Sequence, residues 1–454
     1  MWQILARREL RPFAIIWCGQ LSSLVGSALT GFALGVWLFQ RTGAVTDLAL
    51  NALCTSLPMA LLSPLAGALV DHHDRRTLMI ASDCLAATVT LAIAFLALGG
   101  RLATWHVYAF TVLISALNVL HGPAYLATVS LLVPKEHLGR TSGMTSLAYA
   151  ASSTVAPALG GALVVTVGLA GVIVIDLATF VLATVSLLVV SIPRLSTAGQ
   201  AARSSYWHDV AAGWRYIAAR PGLLWMTLYF AALNLAEGMS NVLRVPLVLS
   251  FAPPTALGAV MSAAGAGGLA GSFLMSTWGG PRRRVHGVLA FTALAGLFMV
   301  VAALRPSVLL LGIAYAGRYV CGPLFSGCAT AIQQSVVAPG MQGRVFAVGS
   351  AVRGATLTLV YLAAGPLADG VFEPLMIVGG ALSGSAGALI GVGPGRGIAL
   401  LMGLLGLVTM GVALAGRLSR RLYRIEEELL DAARPQASDA AQVTAEGAVR
   451  AAEV

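Results

Sequence analysis

Twelve apolar runs follow one another along this chain, near residues 12–39, 47–70, 78–99, 105–126, 141–168, 170–191, 223–247, 256–278, 286–304, 307–330, 345–368 and 397–416. Each is long enough to cross a bilayer, because roughly 30 Å of hydrocarbon takes about 20 helical residues. Only a helix or a closed barrel satisfies its own backbone hydrogen bonds in lipid, and these runs are too long and too unalternating for barrel strands. The expected fold is therefore all-α and polytopic, with twelve transmembrane helices. Composition agrees: 58% of the 454 residues are hydrophobic and 10% charged, and a soluble chain of this length would carry far more charge. The first run follows Arg7, Arg8 and Arg11, is too long for a signal-peptide core and lacks a small-residue cleavage site, so it is expected to remain as a span.

Arginine and lysine place the ends of the runs. With the N-terminus inside, the inner side holds Arg7, Arg8, Arg11, Arg75, Arg76, Lys135, Arg140, Arg194, Arg203, Arg215, Arg220, Arg282, Arg283, Arg284, Arg344, Arg417, Arg420, Arg421 and Arg424. The outer side keeps Arg41, Arg101, Arg305 and Arg396. Short cytoplasmic loops retain positive charge, so both termini are expected in the cytoplasm and the chain in the cytoplasmic (inner) membrane. The net charge of +10 is then topology, with attraction to anionic membrane lipid as a by-product, and no basic-aromatic pattern suggests nucleic acid. Cys18, Cys54, Cys84, Cys321 and Cys328 form no C-x-x-C or Cys/His cluster and read as small core residues, so neither disulfide nor metal is expected, and no cofactor.

The two halves echo each other. His121-Gly122-Pro123-Ala124-Tyr125 is matched by Cys321-Gly322-Pro323-Leu324-Phe325, and Pro134 with Gly139-Arg140 by Pro339 with Gly343-Arg344. Ala156-Pro157-Ala-Leu-Gly160-Gly161 is echoed by Gly365-Pro366-Leu-Ala-Asp369-Gly370. Three echoes in one order indicate a duplicated six-span unit, hence two pseudo-symmetric six-helix bundles, 1–191 and 223–424. Residues 192–222 join them, with Trp207, Val210, Trp214 and Ile217 at the spacing of an amphipathic helix beside His208, Asp209, Arg215 and Arg220. Residues 370–396 are too apolar for an ordinary loop and too short for two spans, and are expected to lie against the outer surface or dip in from it. The tail at 425–454, acidic and then Ala-rich, reads as disordered.

Polar side chains inside spans are expensive and usually face a cavity or a partner. In the seventh run Asn234, Glu237, Asn241 and Arg244 follow at steps of three, four and three, which puts them in one helical stripe expected to line a central cavity. Glu237 is the leading candidate to exchange a proton or hold a cationic substrate group. The alternative is a Glu237–Arg244 pair that only pins the helix. Asp176, Arg318, Asn118 and His121 are further candidates for the cavity or for structural hydrogen bonding, and Arg353 sits close enough to the inner face to snorkel.

Between the second and third runs the chain reads Gly67-Ala-Leu-Val-Asp71-His-His-Asp74-Arg75-Arg76. This resembles the G-x-L-x-D-(R/K)-x-G-(R/K)-(R/K) loop of major facilitator transporters, with His72 and Asp74 departing from it. The resemblance implies a cytoplasmic latch of Gly67, Asp71, Arg75 and Arg76 in which Asp71 meets the start of the eleventh span near Gly343 and Arg344, with Asp83 joining the network. In the fifth run Gly143, Ser152, Ala156, Pro157, Gly160 and Gly161 resemble the antiporter-associated pattern G-x8-G-x3-G-P-x-x-G-G, facing Gly258, Gly265, Gly268 and Gly271 of the eighth. Trp17-Cys-Gly19-Gln20, the stretch Gln333–Ala347, the stretch Ala364–Leu375 and Gly393-Pro-Gly-Arg-Gly397 are similar to the branch that includes macrolide-efflux proteins and enterobactin exporters.

That branch implies a secondary active exporter of a small amphipathic drug, antibiotic or secondary metabolite, antiporting protons by alternating access and acting as a monomer. An uptake carrier of the same fold and a non-transporting membrane scaffold remain alternatives, since fold does not set direction. No H-E-x-x-H, G-x-S-x-G or G-x-x-x-x-G-K-[ST] occurs, so neither an enzyme nor direct use of ATP is expected.

Overall fold

The computed structural model describes residues 11–72, 74–134, 138–190, 206–281, 283–337 and 341–418, and within them backbone alone for 63–72, 127, 130, 138–140, 142, 206–210, 334–336, 342–343 and 418. The first bundle comprises α1 (Arg11–Thr42), α2 (Val45–His72), α3 (Arg75–Leu98), α4 (Thr104–Leu132), α5 (Leu138–Thr166) and α6 (Gly168–Val189). The amphipathic helix α7 (Tyr206–Ala218) follows. The second bundle comprises α8 (Pro221–Leu249), α9 (Pro254–Trp278), α10 (Arg284–Leu304), α11 (Val308–Val336), α12 (Gln342–Gly365) and, after the short helices α13 (Glu373–Met376) and α14 (Ala386–Ile390), α15 (Arg396–Leu418). Among the described residues eleven of the twelve long helices are apolar enough to cross a membrane. The exception is α8, 29 residues long but interrupted by the stripe from Asn234 to Arg244.

Chain reversals fall where the backbone can make them. Gly43, at φ 68°, separates α1 from α2, and Gly279, at φ 72°, ends α9 in the left-handed conformation that only glycine adopts without cost. Pro253 and Pro254 start α9, where a missing N–H is harmless.

Odd-numbered spans begin at one face of the bundle, here called the N-terminal face, and even-numbered spans begin at the opposite face. On the N-terminal face each bundle has its own core. Phe13, Ile16, Trp17, Met79, Tyr125, Met144 and Leu187 pack together in the first, and Met226, Tyr229, Val285, Cys328, Ile332 and Val348 in the second. On the opposite face the first bundle keeps cores of its own, around Leu34, Ile93 and Phe110, but the largest core there spans both, with Phe32, Val36, Val45 and Ala49 of the first bundle packed among Leu243, Leu247, Leu257, Tyr315 and Val360 of the second.

Three segments gain detail that spacing alone did not supply. Helix α7 docks on the second bundle: Ile217 is buried in its N-terminal-face core, and a Cβ on Gly213 would lie 2.4 Å from the Arg344 carbonyl oxygen of α12. Residues 366–376 are not loop. They continue α12 as a π-helical segment, Pro366–Phe372, and then α13. The rest, to Gly395, folds back as a compact cap in which Glu373 accepts from the Gly395 and Ile398 amides (3.3 and 3.1 Å), so a carboxylate closes the start of α15. Of the cysteines, Cys321 and Cys328 are buried, but Cys18 and Cys84 are exposed, their spans being turned toward the surroundings.

Candidate functional site

A cavity of about 650 Å³ lies between the two bundles, walled by α1, α5, α8, α9, α10, α11 and α15. Its surface is mainly apolar, with Phe32, Met261, Phe291, Phe325 and glycines of α1 and α9. Three charged residues face it: Glu237, Arg244 and Arg318. Arg318 is 7% exposed and Glu237 62%, with 4.0 Å between Arg318 Nη2 and Glu237 Oε1. Glu237 therefore pairs with Arg318 of α11, not with Arg244 seven residues along its own helix. Arg244 instead donates from Nη1 to the Tyr319 hydroxyl (2.8 Å), which donates to Asn241 Oδ1 (2.9 Å). Tyr319 also lies under both guanidiniums, 5.8 Å from Arg244 Cζ and 5.5 Å from Arg318 Cζ. Of the α8 stripe, Glu237 and Arg244 line the cavity directly, Asn241 holds Tyr319 from behind, and Asn234 is half-buried outside the lining. A pocket of this size with few convergent charges suits a small amphipathic molecule.

A second cavity, of about 430 Å³, lies within the first bundle nearer the N-terminal face. Asn118, Asp83 and His121 face it, along with Gln20, Ser23 and Ser27. Asp83, expected in the network around Asp71, whose side chain lies outside the described residues, has its described partners elsewhere. It is 4% exposed, its Oδ1 is 3.3 Å from His121 Nε2, and its Oδ2 accepts from Gln20 Nε2 (3.4 Å). The reason is register: eight residues into α3, it points at α4 and α1, away from the helix end. Asp176 is 1% exposed and faces neither cavity; it accepts from Ser27 and Thr179 (3.4 Å each), holding α6 to α1.

The bundles meet on the opposite face through two joints. In the first, α5 and α9 touch backbone to backbone. A Cβ on Gly161 would fall 2.8 Å from the Pro254 carbonyl oxygen, one on Gly258 2.4 Å from that of Pro157, and one on Gly265 2.8 Å from Thr154 Cα. Gly160 packs on Phe32, Ala156 is fully buried, and Ser152 Oγ donates to the Leu24 carbonyl (3.1 Å), while Gly143 meets nothing and Gly271 packs on α11. In the second joint Asp369, in the π-helical segment, accepts from the Val45 amide (3.1 Å), the Thr46 amide (2.8 Å) and the Thr46 hydroxyl (2.7 Å). A carboxylate from the end of one bundle thus caps the first turn of α2 in the other. The signal for Asp369 stood in the duplicated Gly-Pro motif, but its partner, more than 300 residues away, did not.

The side chains of Gly67 and Asp71 and their expected partner Gly343 lie outside the described residues. Arg75 is half-buried at the start of α3, and Arg344 Nη1 contacts Met341 Sδ (3.5 Å). Arg76 donates to the Leu187 and Leu188 carbonyls (3.1 and 2.8 Å), a cation on the C-terminus of α6. Among the described residues no group of three or more His, Cys, Asp or Glu is placed to hold a metal.

Residues 5–400 match the family model described as transmembrane secretion effector. Macrolide efflux protein A of Streptococcus pyogenes is 26% identical over 363 residues, 79% of this chain and 89% of that protein. The multidrug efflux pump Tap of Mycolicibacterium fortuitum is 27% identical over 375 residues, again 79% and 89%. Among solved structures, a bacterial homologue of the iron transporter ferroportin in an inward-facing state superposes with a TM-score of 0.67 at 17% identity, covering 90% of this chain and 99% of that one.

Proposed function

This chain belongs to the transmembrane secretion effector family of major facilitator transporters, multi-pass carriers of the cell membrane that move small molecules and are not enzymes, and from that premise we propose that it exports amphipathic, weakly cationic compounds by alternating access in exchange for protons. The observation that carries this reading is the distribution of cores: a core shared by the two bundles on the opposite face, cores each confined to one bundle on the N-terminal face, and a cavity between the bundles. Positive charge assigns the N-terminal face to the cytoplasm. The conformation is then the one that loads substrate from inside, in keeping with the inward-facing state of the ferroportin homologue.

Within the cavity Glu237 is the accessible carboxylate and Arg318 the buried cation beside it. A proton, Arg318 or a cationic group of the substrate can each satisfy Glu237, and that competition links proton entry to substrate exit. Aromatic and methionine walls take the apolar body of the ligand. Both bundles of a single chain wall the cavity, so the monomer suffices. The efflux functions named for the macrolide and Tap relatives favour export over uptake.

The test is accumulation of ethidium and labelled erythromycin in efflux-deficient bacterial cells expressing the wild type or Glu237→Gln, with and without a protonophore. Lower accumulation that requires both Glu237 and the proton gradient is expected. Higher accumulation would turn the assignment to uptake, and accumulation unchanged by expression would overturn it for this class of compound.

A further inference from the structure

The cavity inside the first bundle is built around charge that the substrate cavity does not use. Asp83 is nearly inaccessible, yet among the described residues the only groups set against its carboxylate are the Gln20 amide and the His121 imidazole. The titratable residues lining this space are Asp83 from α3, His121 and Tyr125 from α4 and Tyr149 from α5. From the other helices packed around it, α1 contributes Gln20, Ser23 and Ser27, α2 Met59 and α6 Phe180, and no lysine or arginine among the described residues lines it. An ionisable side chain buried within a span is costly, and one that lines a cavity and faces a second titratable group is by default a functional-site candidate.

We infer that Asp83 and His121 together form a second proton-binding site, separate from the substrate cavity. The 3.3 Å between Nε2 and Oδ1, off the line of a proper hydrogen bond, lets the two groups take up one proton as a unit. Uptake turns a carboxylate facing neutral imidazole into a carboxylate–imidazolium pair, and release reverses it, with no other bond made or broken. Coupling runs through shared walls. Trp17 to Ser27 of α1 line this cavity and Ala28 to Gly35 the central one; Thr145 to Tyr149 of α5 line this one and Ala150 to Pro157 the other. Gln20 and Gly31 are roughly 16 Å apart along α1 at 1.5 Å per residue, too far for a substrate group to displace the proton directly. His121 also precedes Gly122-Pro123 inside α4, a pair at which a change of charge can alter the bend of the helix.

This site rests on the proton-exchange reading, and the experiment separates the two. In proteoliposomes, uphill ethidium transport driven by a pH gradient and downhill ethidium exchange without one are compared for the wild type, Asp83→Asn and His121→Gln. Gradient-driven transport is expected to fall about tenfold or more in both variants, with exchange within about twofold of the wild type. Infrared difference spectra of the purified proteins between mildly acidic and neutral buffer should lose a shifted carboxylate band in Asp83→Asn and an imidazolium band in His121→Gln. Wild-type-like driven transport in both variants overturns the site and leaves the exporter standing. Loss of ethidium binding in Asp83→Asn overturns it by making the pair a substrate subsite. A wild type indifferent to the gradient removes proton exchange itself.

Discussion

Asp369 does with one side chain what a loop could not: it gives three acceptor contacts to the unsatisfied first turn of a helix in the other bundle. Hydrogen bonds to a charged group contribute about 1.5–3 kcal/mol each, and some of that returns as hydration when the joint opens. A net loss of about 2 kcal/mol on Asp369→Ala would shift the balance toward opening by about 30-fold. The check is the rate at which a membrane-impermeant maleimide labels Ala49→Cys, a position 1% exposed in the shared core, in a background free of the five native cysteines. Labelling should quicken by about tenfold or more in Asp369→Ala, and an unchanged rate would mean the contact holds nothing. Residue types were legible in the sequence at this scale, and partners were not. Glu237 stood out as a charge in an apolar run, but a stripe along one helix could not say that α11 would supply the cation. Asp83 looked like part of a loop network because it lies near a loop in sequence, when its register turns it to His121.

Helix contacts separate into those that stay and those that must break. Gly258 and Gly271 sit on the same helix α9, yet a Cβ on the first meets Pro157 of the other bundle and a Cβ on the second meets Val320 of α11 in its own. Overpacking at a closed contact costs about 1–3 kcal/mol, and where the cost falls depends on which contact it is. Gly258→Val should reduce ethidium export severely while the purified protein keeps its melting temperature, because an open joint relieves the clash. Gly271→Val should lower the melting temperature and the amount of folded protein. Equal thermal stability in the two variants would show that α5 and α9 never part. The sequence placed the small residues of α5 opposite α9 through glycine spacing, which is read directly from a helical repeat. It could not foresee the π-helical continuation at Pro366–Phe372, whose register shift turns Asp369 toward α2, since proline in an apolar run signals a bend and not its geometry.

For the whole molecule, apolar length pointed to twelve spans, of which eleven are long and apolar enough among the described residues, and the echo of Gly-Pro motifs pointed to their grouping. Which face is closed was beyond reach, because both bundles carry similar small-residue surfaces and the choice lies in contacts between distant segments. One property of α8 reaches past transport into biosynthesis. A charged side chain at mid-helix costs roughly 2.5–3.5 kcal/mol on insertion into lipid, and α8 carries Glu237 near its middle and Arg244 beyond. Its shelter, α9 to α15, leaves the ribosome later. A reporter fused after Ser250 should therefore show α8 entering the bilayer inefficiently, and one fused after Val337, with Tyr319 and Arg318 already made, should show it in place; equal insertion in the two fusions would contradict this. Until that point the first bundle is complete and α8 waits at the membrane boundary, so a pause or truncation in this stretch leaves a half-transporter with a charged helix exposed to quality-control proteases.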